Sequence, residues 1–210
     1  MKSANKLALA FTTAMLLNLL VMCTMIGCVH YSKPAVASIS FEDCVKSDLE
    51  WMDKRYGSNY RWYECGIKMK SYLDEDNDGA IEDLTNVFMI RSDSGKSYDT
   101  NVILLHHGKE GFGIYNLESK WVEEDVPMYR EQINVIYKES LIKAKSVKLI
   151  PHTKHVVLRK QLGPINENPQ YIYGNNHGLL FVDATTGYVS HESPAFEGTG
   201  FVTWLGEWPE

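Results

Sequence analysis

The longest uniform stretch of the chain comes first. Residues 7–29 run 23 positions without a charge, LALAFTTAMLLNLLVMCTMIGCV, broken only by Thr12, Thr13, Asn18 and Thr24. As a helix this stretch spans roughly 35 Å, enough to cross a hydrocarbon core of about 30 Å. A short polar tether follows, HYSKPAVAS, and then the pattern turns amphipathic. Ser40-Phe41-Glu42-Asp43 resembles a capping box, with an acid three residues after Ser. Phe41, Cys44, Val45, Leu49, Met52 and Tyr56 then recur at helical spacing until Gly57. Asn59 is a candidate cap for a second helix carrying Trp62, Cys65, Met69, Tyr72 and Leu73 on one face.

Three strand-like runs follow at 86–92, 101–107 and 112–117, separated by the turn-rich SDSGKSYDT and GKEG. A further helix, starting at Asp125-Val126-Pro127, carries Ile133, Ile136, Tyr137 and Leu141 on one face. Later strands are expected at 155–160, 170–174, 178–183 and 187–191. The fold class expected is α+β: an N-terminal apolar signal or anchor helix, then one domain of two helices packed on mostly antiparallel strands. The expected boundaries are 1–27 for the signal or anchor, 28–39 for the tether and 40–200 for the domain. A Trp-rich tail with Trp204 and Trp208 occupies 201–210.

Charge divides the chain at the same place. Before residue 28 the only charges are Lys2 and Lys6; the rest carries all 27 acids and a net charge of −8. The acidic balance argues against nucleic acid as a partner, which needs a cationic field. Lys2 and Lys6 form the positive flank that stays cytoplasmic, so everything after residue 30 is expected to be exported. Met25-Ile26-Gly27-Cys28 resembles the bacterial lipobox, in which a small residue precedes a Cys that is acylated, typically with palmitate, and becomes the new N-terminus. Met25 departs from the usual Leu. The resemblance implies lipidation at Cys28 and, with Val29 in place of a retention Asp, the outer membrane or the periplasmic face of the envelope. An uncleaved single-pass anchor and cleavage after Ala35-Val36-Ala37 are the alternatives.

With Cys23 inside the apolar segment and Cys28 the lipid candidate, Cys44 and Cys65 remain as an even pair in an oxidising compartment. A disulfide across their 21-residue separation would contribute about 3 kcal/mol through the unfolded state. The competing reading makes Cys65 a free nucleophile.

Two motifs carry candidate chemistry. The first is Asp74-Glu75-Asp76-Asn77-Asp78-Gly79-Ala80-Ile81-Glu82, which resembles the opening of an EF-hand-type calcium loop. Carboxylates at alternate positions fold around one point, and Asp74, Asp76, Asp78 and Glu82 are the implied ligands of a weak, structural Ca²⁺. Thr85 stands where such loops place a bidentate Glu. A solvated acidic turn is the alternative. The second is Tyr63-Glu64-Cys65-Gly66, expected at a helix start where a thiol pKa falls. With three strands after it, residues 60–125 resemble papain-like folds, in particular transglutaminase-like cysteine peptidases. The family's His position falls on Asn101 and its acid position on Tyr115, which implies a degenerate, non-enzymatic member.

Strand alternation places Asn101, Ile103, Leu105 and His107 on one face, with Val102, Leu104 and His106 on the other. His107, the one substitute base, then lies about 20 Å along the strand from the family's position. His152 and His155 read as turn or surface residues.

Near the C-terminus, Asp183-Ala-Thr-Thr-Gly187 reads as a hairpin turn and is similar to the D-x-x-T-G turn of exported PepSY-type domains. No phosphate loop, G-x-S-x-G, H-E-x-x-H or C-x-x-C is present. The expected function is a membrane-tethered binding or structural module without catalysis, requiring no cofactor. Its partners would be the membrane, through lipid or anchor, and another envelope protein. The alternative is a papain- or transglutaminase-like thiol hydrolase using Cys65 and His107.

Overall fold

A computed structural model describes residues 39–90, 101–117, 125–161, 168–175 and 178–192. The apolar segment, Cys23, Cys28, the tether and the Trp-rich tail lie outside the described residues. Among those described, no helix is long and apolar enough to cross a membrane.

The first helix forms as expected. Helix α1 (Phe41–Tyr56) begins at Ser40, whose side chain accepts a hydrogen bond from the Asp43 amide, and stops at Gly57 with φ +57°. Glu42 and Asp43 sit in its first turn and Lys54 and Arg55 in its last, each favourable to the helix dipole. Its buried stripe is Phe41, Cys44, Val45, Asp48 and Met52.

The expected second helix is instead strand β1 (Tyr60–Met69). β1 is a central strand, buried on both faces from Trp62 to Ile67, so the polar–apolar alternation that marks a half-exposed strand is missing. Its apolar residues at 62, 65 and 69 then imitate helical spacing. Three antiparallel strands follow: β2 (Ile81–Ile90), β3 (Asn101–Gly108) and β4 (Gly111–Leu117). The helix expected to start near 125 is shorter and later. Asp125–Val126 form the short strand β5, Arg130–Gln132 a 3₁₀ turn, and α2 runs only from Tyr137 to Lys145. Pro127 has no amide hydrogen to give a helix, and the chain here is held extended: β5 pairs with β6, and the Met128 amide donates to the Trp62 carbonyl.

The remaining strands lie where the pattern put them: β6 (His155–Gln161), β7 (Gln170–Asn175), β8 (Gly178–Asp183) and β9 (Val189–Ser190). Eight strands make one antiparallel sheet in the order β4-β3-β2-β1-β6-β7-β8-β9, with β5 attached to β6. The molecule is thus α+β with more strand than helix.

Both helices pack on one face, α1 over β2 and α2 over β7 and β8. The main core lies beneath them, from Phe41 and Met52 through Leu84, Phe88 and Leu158 to Tyr171, Tyr173 and Leu180. α2 closes down on the Asn77–Gly79 turn at a glycine: a Cβ at Gly79 would stand 2.9 Å from the Leu141 side chain, and its φ of +80° is itself unfavourable to other residues. The opposite face is apolar too, with clusters at Tyr63, Val87, Met89, Val102 and at Val157, Ile172, Leu179, Phe181.

Candidate functional site

The residues with chemical potential collect where α1 meets the sheet. Alternation turns Leu84, Asn86 and Phe88 of β2 and Ile103, Leu105 and His107 of β3 toward the helix. Helical spacing from Cys44 through Asp48 to Met52 drives Asp48 into the same interface. There the Asp48 carboxylate accepts a hydrogen bond from Asn86 Nδ2 at 2.7 Å and meets His107 Nε2 at 2.8 Å. Phe112 lies against the imidazole, ring centroids 4.9 Å apart. Cys65 stands opposite Asn86 in the β1–β2 register.

Electrostatically this interface disfavours charge and does not activate a thiol. Burial pushes the Asp48 carboxyl above its ordinary value, and the bonds from His107 and Asn86 work against that rise. Cys65 is completely buried, and its thiol is pushed well up by burial and then by the negative charges of Asp48, Cys44 and Glu64. A nucleophilic cysteine needs the opposite surroundings, a cation or helix N-terminus and a path to solvent. Cys65 is mid-strand, so the helix start on which the peptidase resemblance placed it is absent.

His107 points its Nε2 at Asp48, and Asp48 and Asn86 occupy the space toward β1. By strand geometry the Cα atoms of Cys65 and His107 are about 12 Å apart, two strands across and two residues along. Asn101 and Tyr115, the family's other positions, are at the start of β3 and on β4. The dyad of Cys65 and His107 is therefore not assembled. No disulfide joins Cys44 and Cys65, which are both buried, on α1 and β1.

The acidic loop follows β1. Its four expected ligands turn to different neighbours. Asp74 meets His152 Nδ1 at 2.9 Å, Asp78 accepts the Ala80 amide, and Glu82, already in β2, faces Lys68 at 3.8 Å; Asp76 is exposed. What organises the loop is buried Asn77. Its Nδ2 donates to the Ser71 carbonyl at 2.7 Å, and its Oδ1 accepts the Gly79 amide at 2.7 Å. Among the described residues no three His, Cys, Asp or Glu side chains are grouped to hold a metal ion. The loop is an Asx-clamped turn.

The C-terminal turn is as expected. Asp183 Oδ1 accepts the Thr185 and Thr186 amides, and Gly187 has φ +76°. Burial raises the Asp183 carboxyl, but bonds from the Thr186 amide, Asn168, Gln170 and the Thr185 amide outweigh it and hold the group below its ordinary value. His106, on the other face, bonds Thr85 Oγ1, and burial lowers its pKa despite Asp83 nearby. His152 is exposed and stacks flat on Tyr72, centroids 3.9 Å apart; His155 is exposed.

Asp48 and Asn86 were not anticipated. Asp48 carried a readable signal, since it is the one acid on the 41–44–45–48–52 stripe. No known protein family, curated protein or solved structure matches the chain.

Proposed function

We propose that this protein is an exported, membrane-tethered lipoprotein-like module, with a binding or structural role and no catalysis of its own. The observation that carries the absence of catalysis is the Asp48–Asn86–His107 interface. The Asp48–His107 pair is spent inside the core, and the Cys65 thiol nearby is sealed from solvent with its thiolate disfavoured. The tethering rests on the charge-free run at 7–29 and on Gly27-Cys28. Acylated at Cys28, the domain would sit at the outer membrane or the periplasmic face of the envelope, beside other envelope proteins. No observation favours a thiol hydrolase. The test is metabolic labelling with palmitate in a bacterial host: label on the wild-type chain and none on Cys28→Ser supports the reading. Label that persists in Cys28→Ser, or never appears, overturns lipidation at this residue.

A further inference from the structure

We infer that the outer side of α2, with the turn after it, is a surface that lies on an anionic lipid bilayer. The inference rests on the tethering just proposed and adds how the domain is oriented. Within the acidic exported part, residues 137–150 are locally basic, with Lys138, Lys143, Lys145 and Lys148 against the single acid Glu139. Lys138, Ile142 and Lys145 are at i, i+4 and i+7 and share one side of the helix, away from the buried Tyr137, Leu141 and Ala144. Ile142 is 69% exposed and Leu149 74% exposed, which puts two large aliphatic side chains in water beside the lysines. A third apolar group is near: a Cβ at Gly187 would strike the Lys143 side chain, and the next residue, Tyr188, is 65% exposed.

Aliphatic tips within a rim of lysines suit the boundary between headgroups and acyl chains, where apolar groups enter and ammonium groups stay with phosphates. Lys145 is partly committed, since its Nζ donates to the Glu75 and Asn77 carbonyls, and Asp78 borders an open cleft of about 430 Å³ between the helix and that loop. Lys138, Lys143 and Lys148 make no ion pair among the described residues. The bilayer is favoured over a protein partner by where the tether arrives. The chain enters the domain at Ser40, and the ring of Phe41 packs on Tyr137, the first residue of α2, at 6.1 Å. A tether of 28–39 reaches at most about 40 Å, so a chain anchored at Cys28 keeps the domain within reach of the lipid and leaves α2 free to turn toward it.

The experiment places an environment-sensitive fluorescent side chain at position 142 of the full-length lipidated protein, in vesicles of phosphatidylglycerol and phosphatidylcholine. The control position is 109, in the exposed β3–β4 turn at the far edge of the sheet. At 142 the emission should move to the blue and be quenched by doxyl-labelled lipid, less so as salt rises, while 109 stays aqueous. Each of Lys138→Gln, Lys143→Gln and Lys148→Gln should lower the ratio of docked to undocked domain about five-fold. Leu149→Ser should lower it too, with thermal unfolding of every variant near wild type. A protein that floats with the vesicles while position 142 stays aqueous overturns the surface and leaves the tether standing. An equal response in pure phosphatidylcholine overturns the charge argument. Failure to float overturns both.

Discussion

Two aspartate–histidine pairs meet at nearly equal distance in opposite surroundings. Asp48 and His107 meet at 2.8 Å under α1 with 2% and 15% of their side chains exposed. Asp74 and His152 meet at 2.9 Å with 38% and 61% exposed. Geometry alone would rank them as equals. Burial separates them, because water competes for every bond of the second pair and for almost none of the first. The buried pair is part of what holds a helix to the sheet; the exposed pair decorates a loop already clamped by Asn77.

The largest expected effect follows from removing one member of the buried pair. Asp48→Ala leaves Asn86 and His107 without their acceptor in the core and should cost about 3–5 kcal/mol in urea unfolding. A double-mutant cycle with His107→Ala should give a coupling above about 1 kcal/mol. A loss below about 1 kcal/mol would mean that water reaches this interface.

A second test uses pH, because two carboxylates are shifted in opposite directions. Asp183 is held below its ordinary value, so its stabilisation is present above about pH 4 and is lost as pH falls through its folded pKa. Asp48 is raised, so its contribution is greatest below about pH 4 and is lost as pH rises through its folded pKa. Between about pH 3 and 6, Asp183→Asn should therefore fall further behind wild type as pH rises, whereas Asp48→Asn should gain on it. Parallel slopes would contradict the assigned environments.

The smallest effect belongs to the exposed pair. Asp74→Ala or His152→Ala should cost no more than about 1 kcal/mol, with the electrostatic part fading in salt. Asn77→Ala in the same loop should cost more, about 1–3 kcal/mol, because it strands the Gly79 amide and the Ser71 carbonyl. Equal costs for Asp74 and Asn77 would restore the carboxylates as organisers of the loop.

Much of this fold was legible where a pattern had one dominant cause. Ser40, the apolar stripe and Gly57 bound α1; alternation and turn residues located β3, β4 and β6–β8; the Asp183–Gly187 turn was readable as a hairpin turn. The errors came where tertiary contacts decide. A strand covered on both faces has no period of two to display, so 60–69 passed for a helix. Residues 125–136 contain apolar side chains at helical spacing, but pairing of Asp125–Val126 with β6 and the Met128 bond to Trp62 hold the start extended, and only a 3₁₀ turn forms at Arg130–Gln132. In the candidate site, alternation grouped His107 with Ile103 and Leu105, yet its partner Asp48 comes from α1, 59 positions away in the chain. The calcium-like spacing was real as a pattern, but side-chain directions, set by His152, Lys68 and Asn77, scatter its carboxylates.

The central claim is that Cys65 and the Asp48–His107 pair belong to the core and not to a catalytic site. The most direct measurement is the rate at which a small thiol reagent modifies Cys65 in the native protein at about pH 8, compared with the protein in denaturant. The account predicts no modification faster than unfolding itself and full reaction once the chain is unfolded. Rapid stoichiometric labelling of native Cys65, slowed by His107→Ala, would contradict it.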